Sequence, residues 1–350
     1  MSTDLRLDLL ERLTEASGVP GYEDEVRSIV REELAATTDR VTTDAMGNVV
    51  GTVEGAGDFE VVVAAHMDEI GFMVREVDDD GFVRIDALGG WDPRVLKAQR
   101  VTVHTDGGDL VGIIGSMPPH LLDDAEEADA PEVDDIYVDL GLPAEAAAER
   151  VGPGDLVTLE QSTVRMGELV TGKALDDRVC VFAMLETAAR LEDPPATVHF
   201  AATVQEEVGL RGARALGVDV DPDLAIAMDV TIADDVPDAG SNATVTELGE
   251  GTAIKLKDAS VITSPKVHRR LRDLAEGRTI PHQIEVLPAG GTDTAALQVA
   301  SGATPVGAIS IPTRYLHTVT EAAHLEDVEA TVDLLEAFLE TEDGSTDYTL

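Results

Sequence analysis

The stretch Val61-Val-Val-Ala-Ala-His66-Met-Asp68 decides the reading of this chain. Five consecutive apolar residues, the first three β-branched, form the pattern of a strand covered on both faces, not that of a half-exposed strand. The run ends on an imidazole and, two positions later, a carboxylate. In open α/β sheets, ligands bind beyond the carboxyl ends of the strands. The same eight residues therefore indicate both an α/β fold and the edge of a functional site.

Other segments extend the pattern. Thr197–Val204 is a second apolar strand and runs into Gln205-Glu206-Glu207. Leu224–Met228 is a third and runs into Asp229. A fourth, Pro305–Ile309, leads through Pro312-Thr-Arg-Tyr-Leu316 to His317. Helical patterns fill Leu5–Glu15, Glu23–Ala36, Arg178–Arg190, Arg211–Leu216, Lys266–Glu276, Thr294–Ala300 and Leu325–Thr341. Strands alternating with helices predict a mixed, largely parallel sheet covered by helices on both faces.

Between about Gly71 and Gln161 the texture changes. Short alternating segments (Phe82–Ile85, Arg100–Val103, Leu110–Ile114, Leu156–Leu159) are punctuated by Gly89-Gly90, Gly107-Gly108 and Pro118-Pro119. This spacing predicts a small inserted β domain over 71–161. An α/β domain is then expected from 1–70 and 162–342, with a flexible tail at 343–350. The acidic stretch Asp123–Asp135 is expected to be a mobile loop.

Composition narrows the function. Among 350 residues, 69 are Asp or Glu and 25 are Lys or Arg, for a formal net charge of -44. Lysine occurs only at positions 97, 173, 255, 257 and 266. Such a chain repels nucleic acids and anionic membranes. The 43% hydrophobic fraction argues for a folded core, and spread-out acidity is expected of a protein from a halophilic organism. Cys180, the one cysteine, lies in an apolar helical run and is expected to be a buried thiol. The sequence has neither a signal-like start nor an apolar run near the ~18 residues of a membrane span, so a soluble, cytoplasmic protein is expected.

Acidic pairs alone carry little weight, because about fourteen arise by chance at this composition. Histidine is more informative, since there are only 8. His104, His120, His199, His268, His282 and His324 lack a distinctive setting and read as structural. His66 and His317, at strand ends far apart in sequence, do not. With Glu206-Glu207, Asp229 and the loop Gly172-Lys-Ala-Leu-Asp176-Asp177-Arg178, they form a donor set suited to a pair of divalent ions about 3.5–4 Å apart that share a hydroxide nucleophile. One carboxylate must then serve as the base, and Glu206 is placed for it.

His66-Met-Asp-Glu-Ile-Gly71, Gly172–Arg178, Val204-Gln-Glu-Glu-Val-Gly209, Met228-Asp229, Gly290-Gly-Thr-Asp-Thr294 and Arg314-Tyr-Leu-His317 together resemble the tetrahedral aminopeptidases of the M42 metallopeptidase family. The resemblance covers nearly the whole chain. It implies that Asp176 bridges two ions, Zn2+ or Co2+, with His66 and Asp229 completing one shell and Glu207 and His317 the other. It implies Glu206 as general base and Asp68 as support for His66. It further implies a PDZ-like inserted domain, peptide substrates cleaved from the N-terminus, and a hollow dodecamer. Thr318-Val319 departs from the Ser-Pro that often follows the last histidine, which puts only the local loop shape in question. The alternative is a deacylase or carboxypeptidase of the M20 type, but those carry their accessory domain after the glutamate pair.

Overall fold

The computed structural model describes residues 5–117, 120, 132–237 and 244–350. Most of the expected acidic loop, 123–131, lies outside them. The N-terminal part contains α1 (Leu7–Glu15), α2 (Asp24–Thr37), β1 (Arg40–Thr43), β2 (Val49–Val53) and β3 (Glu60–His66). In β3, Val61 to Ala65 are all fully buried. Val61, Val63 and Ala65 join one core, while Val62 and Ala64 join a second core on the other face. This two-sided burial is why the strand does not alternate in sequence, and each buried valine is worth about 1.5–3 kcal/mol.

Next come β4 (Gly71–Val77), β5 (Val83–Leu88), β6 (Arg100–His104), β7 (Leu110–Ile114), β8 (Tyr137–Asp139), the short helix α3 (Ala144–Arg150) and β9 (Leu156–Leu159). The six strands close into a barrel in the order β4-β5-β8-β7-β6-β9. Phe72, Val74, Val83, Ile85, Val101, Val103 and Val157 fill it. The inserted β structure is thus a six-stranded barrel.

The chain returns through β10 (Val164–Met166) and β11 (Leu169–Gly172), then α4 (Leu175–Arg190), β12 (Thr197–Thr203), α5 (Arg211–Val220) and β13 (Leu224–Ile232). It closes with β14 (Thr252–Lys257), α6 (Pro265–Arg278), β15 (His282–Val286), α7 (Asp293–Leu297), β16 (Val306–Arg314), β17 (Glu321–His324) and α8 (Leu325–Leu339). Eleven strands form one sheet, β1-β2-β12-β3-β13-β16-β17-β11-β10, with β14 and β15 branching from β16.

The expectation of a largely parallel sheet needs correction. The run β12-β3-β13-β16 is parallel, but β2 joins it antiparallel, as do β14, β17, β11 and β10 on the far side. Parallel neighbours need helical crossovers; the centre of the sheet has them, as does the side branch β14-α6-β15, whose two strands pair parallel. A second correction concerns 343–350. Tyr348 is 5% exposed, its hydroxyl donates to Glu342, and Lys266 Nζ in α6 donates to the carbonyls of Asp347 and Thr349. The segment is a packed strap, because its tyrosine finds an apolar seat and a buried acceptor.

Helix α4 is buried on nearly all sides and runs behind the sheet; Cys180 within it is a free, fully buried thiol, as expected. At its start, the guanidinium of Arg178 is completely buried. It donates to the carbonyls of Leu13, Ala16, Gly18 and Met67, and sits 3.4 Å from Glu69, which also holds Lys173 at 2.6 Å. One side chain thus ties α1 to the loop after β3. Arg178→Met should therefore lower stability by about 3–5 kcal/mol, as for removal of one partner from a buried charged network, read as a shift in denaturant midpoint. A loss below about 1 kcal/mol would mean that the abandoned carbonyls find other partners.

Candidate metal centre

The four parallel strands end on the same edge. Register pairs Thr203 of β12 with His66 of β3, so His66 and the loop Val204–Glu207 emerge side by side. Asp229 lies inside β13 rather than after it, because β13 pairs with β16 through Ile232 and Thr313. The β16 strand likewise runs to Arg314, three residues before His317. Asp176 opens α4, whose first turn is broken at Asp176 and Asp177 by non-helical backbone torsions.

These elements bring together His66, Asp176, Glu206, Glu207, Asp229 and His317 around a cavity of about 370 Å³. His66 Nε2 stands 3.2 Å from Asp176 Oδ1, and His317 Nε2 stands 3.5 Å from Asp176 Oδ2. Each histidine engages a backbone carbonyl with its other nitrogen: His66 Nδ1 donates to Asp68 at 3.1 Å, and His317 Nδ1 to Gly90 at 2.7 Å. A carbonyl only accepts, so both rings present an unprotonated Nε2 when neutral. Three groups of donor atoms lie within 4.8 Å: His66, Glu206 and Glu207; His66, Asp177 and Asp229; and Asp176, Glu207 and His317.

Asp68 meets His66 through its backbone. Its main-chain carbonyl, not its carboxylate, takes the hydrogen bond from His66, while the carboxylate lies 3.6 Å from that nitrogen. The carboxylate instead accepts from the backbone N–H groups of Glu206 and Glu207, at 3.0 and 3.2 Å. It therefore shapes the loop that carries both glutamates.

Three further acids border the group. Asp177 accepts from the His66 N–H at 3.1 Å, and its other oxygen is buried without a hydrogen-bond partner. Glu321 in β17 accepts from the N–H groups of Asp176 and His317, at 2.9 and 3.2 Å. Asp293 accepts from Thr203 Oγ1 at 2.5 Å, and its second oxygen is unpartnered. Asp177 and Asp293 belong to motifs visible in the sequence. Glu321 carries no sequence signal among so many acids.

The charge balance is unusual. Burial pushes the Glu206 and Glu207 carboxyls well above their ordinary range, and neighbouring acids add to it. Burial and the charge of Asp176 raise Asp229 to about 8, even against the pull of His66. Burial likewise raises Asp177 and Glu321. Asp176 is lowered despite burial, because His66 and His317 face its two oxygens. Burial opposes the His66 cation, but Asp176 and Asp68 raise its pKa well above the usual imidazole value. A buried ring of acids with so little positive charge suits divalent ions, and the imidazole and carboxylate donors are those such ions take.

Three of the remaining histidines have partners of their own. His104 bonds with Asp109 and Thr158, His199 with Thr52 and Glu60, and His324 caps α8 by accepting from the Glu326 N–H. Among the described residues, no helix is long and apolar enough to cross a membrane.

Comparison with known proteins agrees with this arrangement. The model of the M42 glutamyl aminopeptidase family matches residues 47–334. A lysyl aminopeptidase of Pyrococcus furiosus is 37% identical over 95% of this chain and 96% of its own. A glutamyl aminopeptidase of Lactococcus lactis is 34% identical over 91% of this chain and 92% of its own. A TET1 peptidase of Pyrococcus horikoshii, described as able to assemble into a tetrahedron or a large octahedral shell, superposes with a TM-score of 0.86. It is 34% identical and covers 96% of this chain and 99% of its own. With the family model matching residues 47–334 and relatives 34–37% identical over most of its length, this chain belongs to the M42 peptidase family and is a peptide hydrolase of the aminopeptidase kind.

Proposed function

We propose that the chain is a dinuclear metallo-aminopeptidase that removes N-terminal residues from peptides. One observation carries this reading: each oxygen of Asp176 faces the Nε2 of a histidine whose Nδ1 is held by a carbonyl. Histidine ligands of metals are oriented in this way, and a carboxylate between two of them suits a bridge. His66 and Asp229 would hold one ion, Glu207 and His317 the other, and Asp176 both. The donor set suits Zn2+ or Co2+. When bound, two such ions supply polarisation of the scissile carbonyl and an acidified water.

In this reading Glu206 takes the proton of the attacking water and returns it to the leaving amine. It lines the cavity with 9% exposure, so solvent does not level its basicity. Asp68 fixes the loop that aims Glu206, and Glu321 fixes the backbone of Asp176 and His317. An M20-type activity is disfavoured by the family match and by the barrel, which precedes Asp176 in the chain.

Away from the acids the cavity wall carries the apolar residues Val230, Ile232, Leu287, Ala289 and Leu316, with Thr231 and Thr292 among them. Lys255, also on the wall, already faces Glu285 at 3.1 Å and Asp258 at 3.6 Å. A first residue with a neutral aliphatic side chain therefore fits better than lysine or glutamate, even though relatives are named for those residues.

We also propose that residues 71–161 serve assembly, with 1–70 and 162–342 as the catalytic part, and that twelve copies form a tetrahedral shell as the TET1 neighbour can. Val111 and Ile113 on β7 and Val164 and Met166 on β10 are exposed apolar residues suited to contacts between copies. The acidic surface fits function in high salt, where charges are screened within ~3 Å at 1 M.

Glu206→Gln should retain two ions per chain by elemental analysis and lose about 10²–10⁴-fold in kcat, whereas His317→Ala should lose metal. Near-normal turnover in the glutamine variant would remove Glu206 from the mechanism. With a panel of aminoacyl anilides in molar salt, leucyl and methionyl substrates should give higher kcat/KM than lysyl or glutamyl ones; the opposite order would reject the apolar subsite. The raised carboxyls give a pH test. A carboxyl whose folded pKa is raised contributes stability at low pH that is lost as pH climbs through the folded value, about 8 for Asp229. The melting-temperature gap between metal-loaded and chelated protein should therefore widen from pH 5 to pH 8. A gap independent of pH would show that the ions do not answer this charge.

A further inference from the structure

His317 is held from two sides. Its loop turns through two left-handed residues, Tyr315 (φ 65) and His317 (φ 56), and Thr318 Oγ1 closes it by bonding to the carbonyls of Tyr315 and Thr320. From the sheet, Glu321 accepts the His317 N–H. From the barrel, the Gly90 carbonyl accepts the Nδ1 proton at 2.7 Å. The imidazole is otherwise 45% exposed, so that carbonyl is what fixes its plane and tautomer.

The barrel loop that carries Gly90 is itself anchored. Trp91 Nε1 donates to the Gly71 carbonyl at 3.1 Å, and its ring stacks on Phe72 with centroids 5.0 Å apart. On the other side of the seam, Val319 of the His317 loop packs against the barrel core. The loop runs very close to the centre. A Cβ on Gly89 would stand 2.4 Å from Ile70 Cγ2 and 3.3 Å from Glu207 Cβ, and Gly89 has a φ of +94. A Cβ on Gly90 would stand 3.3 Å from His317 Nδ1. The two glycines thus let barrel backbone pass beside Glu207 and His317, two of the three residues grouped around one ion position.

We propose that the Gly89–Trp91 loop of the barrel is a positioning element for the ion on the His317 side. By holding Nδ1–H, Gly90 keeps Nε2 free to bind, so the seating of the barrel sets the affinity of this ion and leaves the ion on the His66 side unaffected. His66 takes its own carbonyl from Asp68, within the sheet loop. The inference rests on the dinuclear reading. It makes the barrel part of the metal centre although it contributes no ligand side chain.

The test is calorimetric titration of the metal-free, full-length protein with Zn2+, alongside nitrogen NMR of the histidines. The unsubstituted protein should take up two ions, and His317 should carry its proton on Nδ1. Gly90→Ala, which crowds the ring, and Trp91→Phe, which keeps the stack but loses the Nε1 bond, should each weaken one binding step about 10-fold or more and leave the other unchanged. Activity should return as free metal is raised. Trp91→Ala should do the same more strongly. Melting temperatures of the metal-free variants separate this from general loosening, which would lower stability and weaken both steps together. Two uptake steps that are unaltered, or altered equally, in all three variants would overturn the barrel's role and leave the dinuclear reading intact. Failure of the unsubstituted protein to take up two ions would overturn the dinuclear reading itself, and this inference with it.

Discussion

Negative charge gathered in a small, largely buried volume is the constraint on which the centre is built. Asp176, Glu206, Glu207 and Asp229 line one cavity, and Asp177, Asp293 and Glu321 lie behind it; most of the seven are buried. Like charges at such spacing cannot all be ionised in a low-dielectric interior without compensation. Part of the compensation is backbone. Asp68, Asp177 and Glu321 give oxygens to the N–H groups of Glu206, Glu207, His66, Asp176 and His317. Each such bond also fixes a loop that carries another functional side chain. The parallel order of β12, β3, β13 and β16 follows from the same requirement, since it delivers the ends of four crossover-connected strands to one edge.

The barrel is wired into this arrangement by chain connectivity. It departs at Gly71, three residues after Asp68, and its last strand is separated from Asp176 only by the β10–β11 hairpin. Both of its connections therefore leave from loops of the centre. One seam reinforces the joint: the Gly90 carbonyl accepts from His317 Nδ1, and Val319 of the same loop packs against the barrel core. The barrel thereby braces His317 and carries exposed apolar residues, Val111 and Ile113, on β7.

The acidity of this protein has two separate physical roles. Most of the 69 carboxylates add to a net charge of -44 and interact with water and salt. A handful at the strand ends are buried beside one another, which raises their pKa values and creates a demand for a cation that chemistry can use. Composition cannot tell the two populations apart, because a buried and an exposed aspartate are the same letter.

Much was nonetheless legible in the sequence. The unbroken run Val61–Ala65, the strand before Glu206-Glu207 and the apolar pattern of α4 identified the central sheet and its buried helix, because burial on both faces leaves no room for alternation. His66 and His317 stood out because histidine is scarce and both follow strands. Other elements were not legible. Strand β17, Glu321-Ala-Ala-His324, lacks β-branched residues and exists because β11 and β16 offer it partners. The antiparallel flanks, the closure of the barrel and the packed strap around Tyr348 depend on pairings between distant segments, which local propensity does not encode. For the same reason, only the tertiary structure assigned Glu321 its two N–H donors, turned the Asp68 carboxylate towards the glutamate loop, and put a barrel carbonyl against His317. The sequence by itself determined which residues could serve as ligands and that a sheet would gather them. Orientation, and the low dielectric that gives these side chains their chemistry, arise only when chain segments as far as 227 residues apart are packed together.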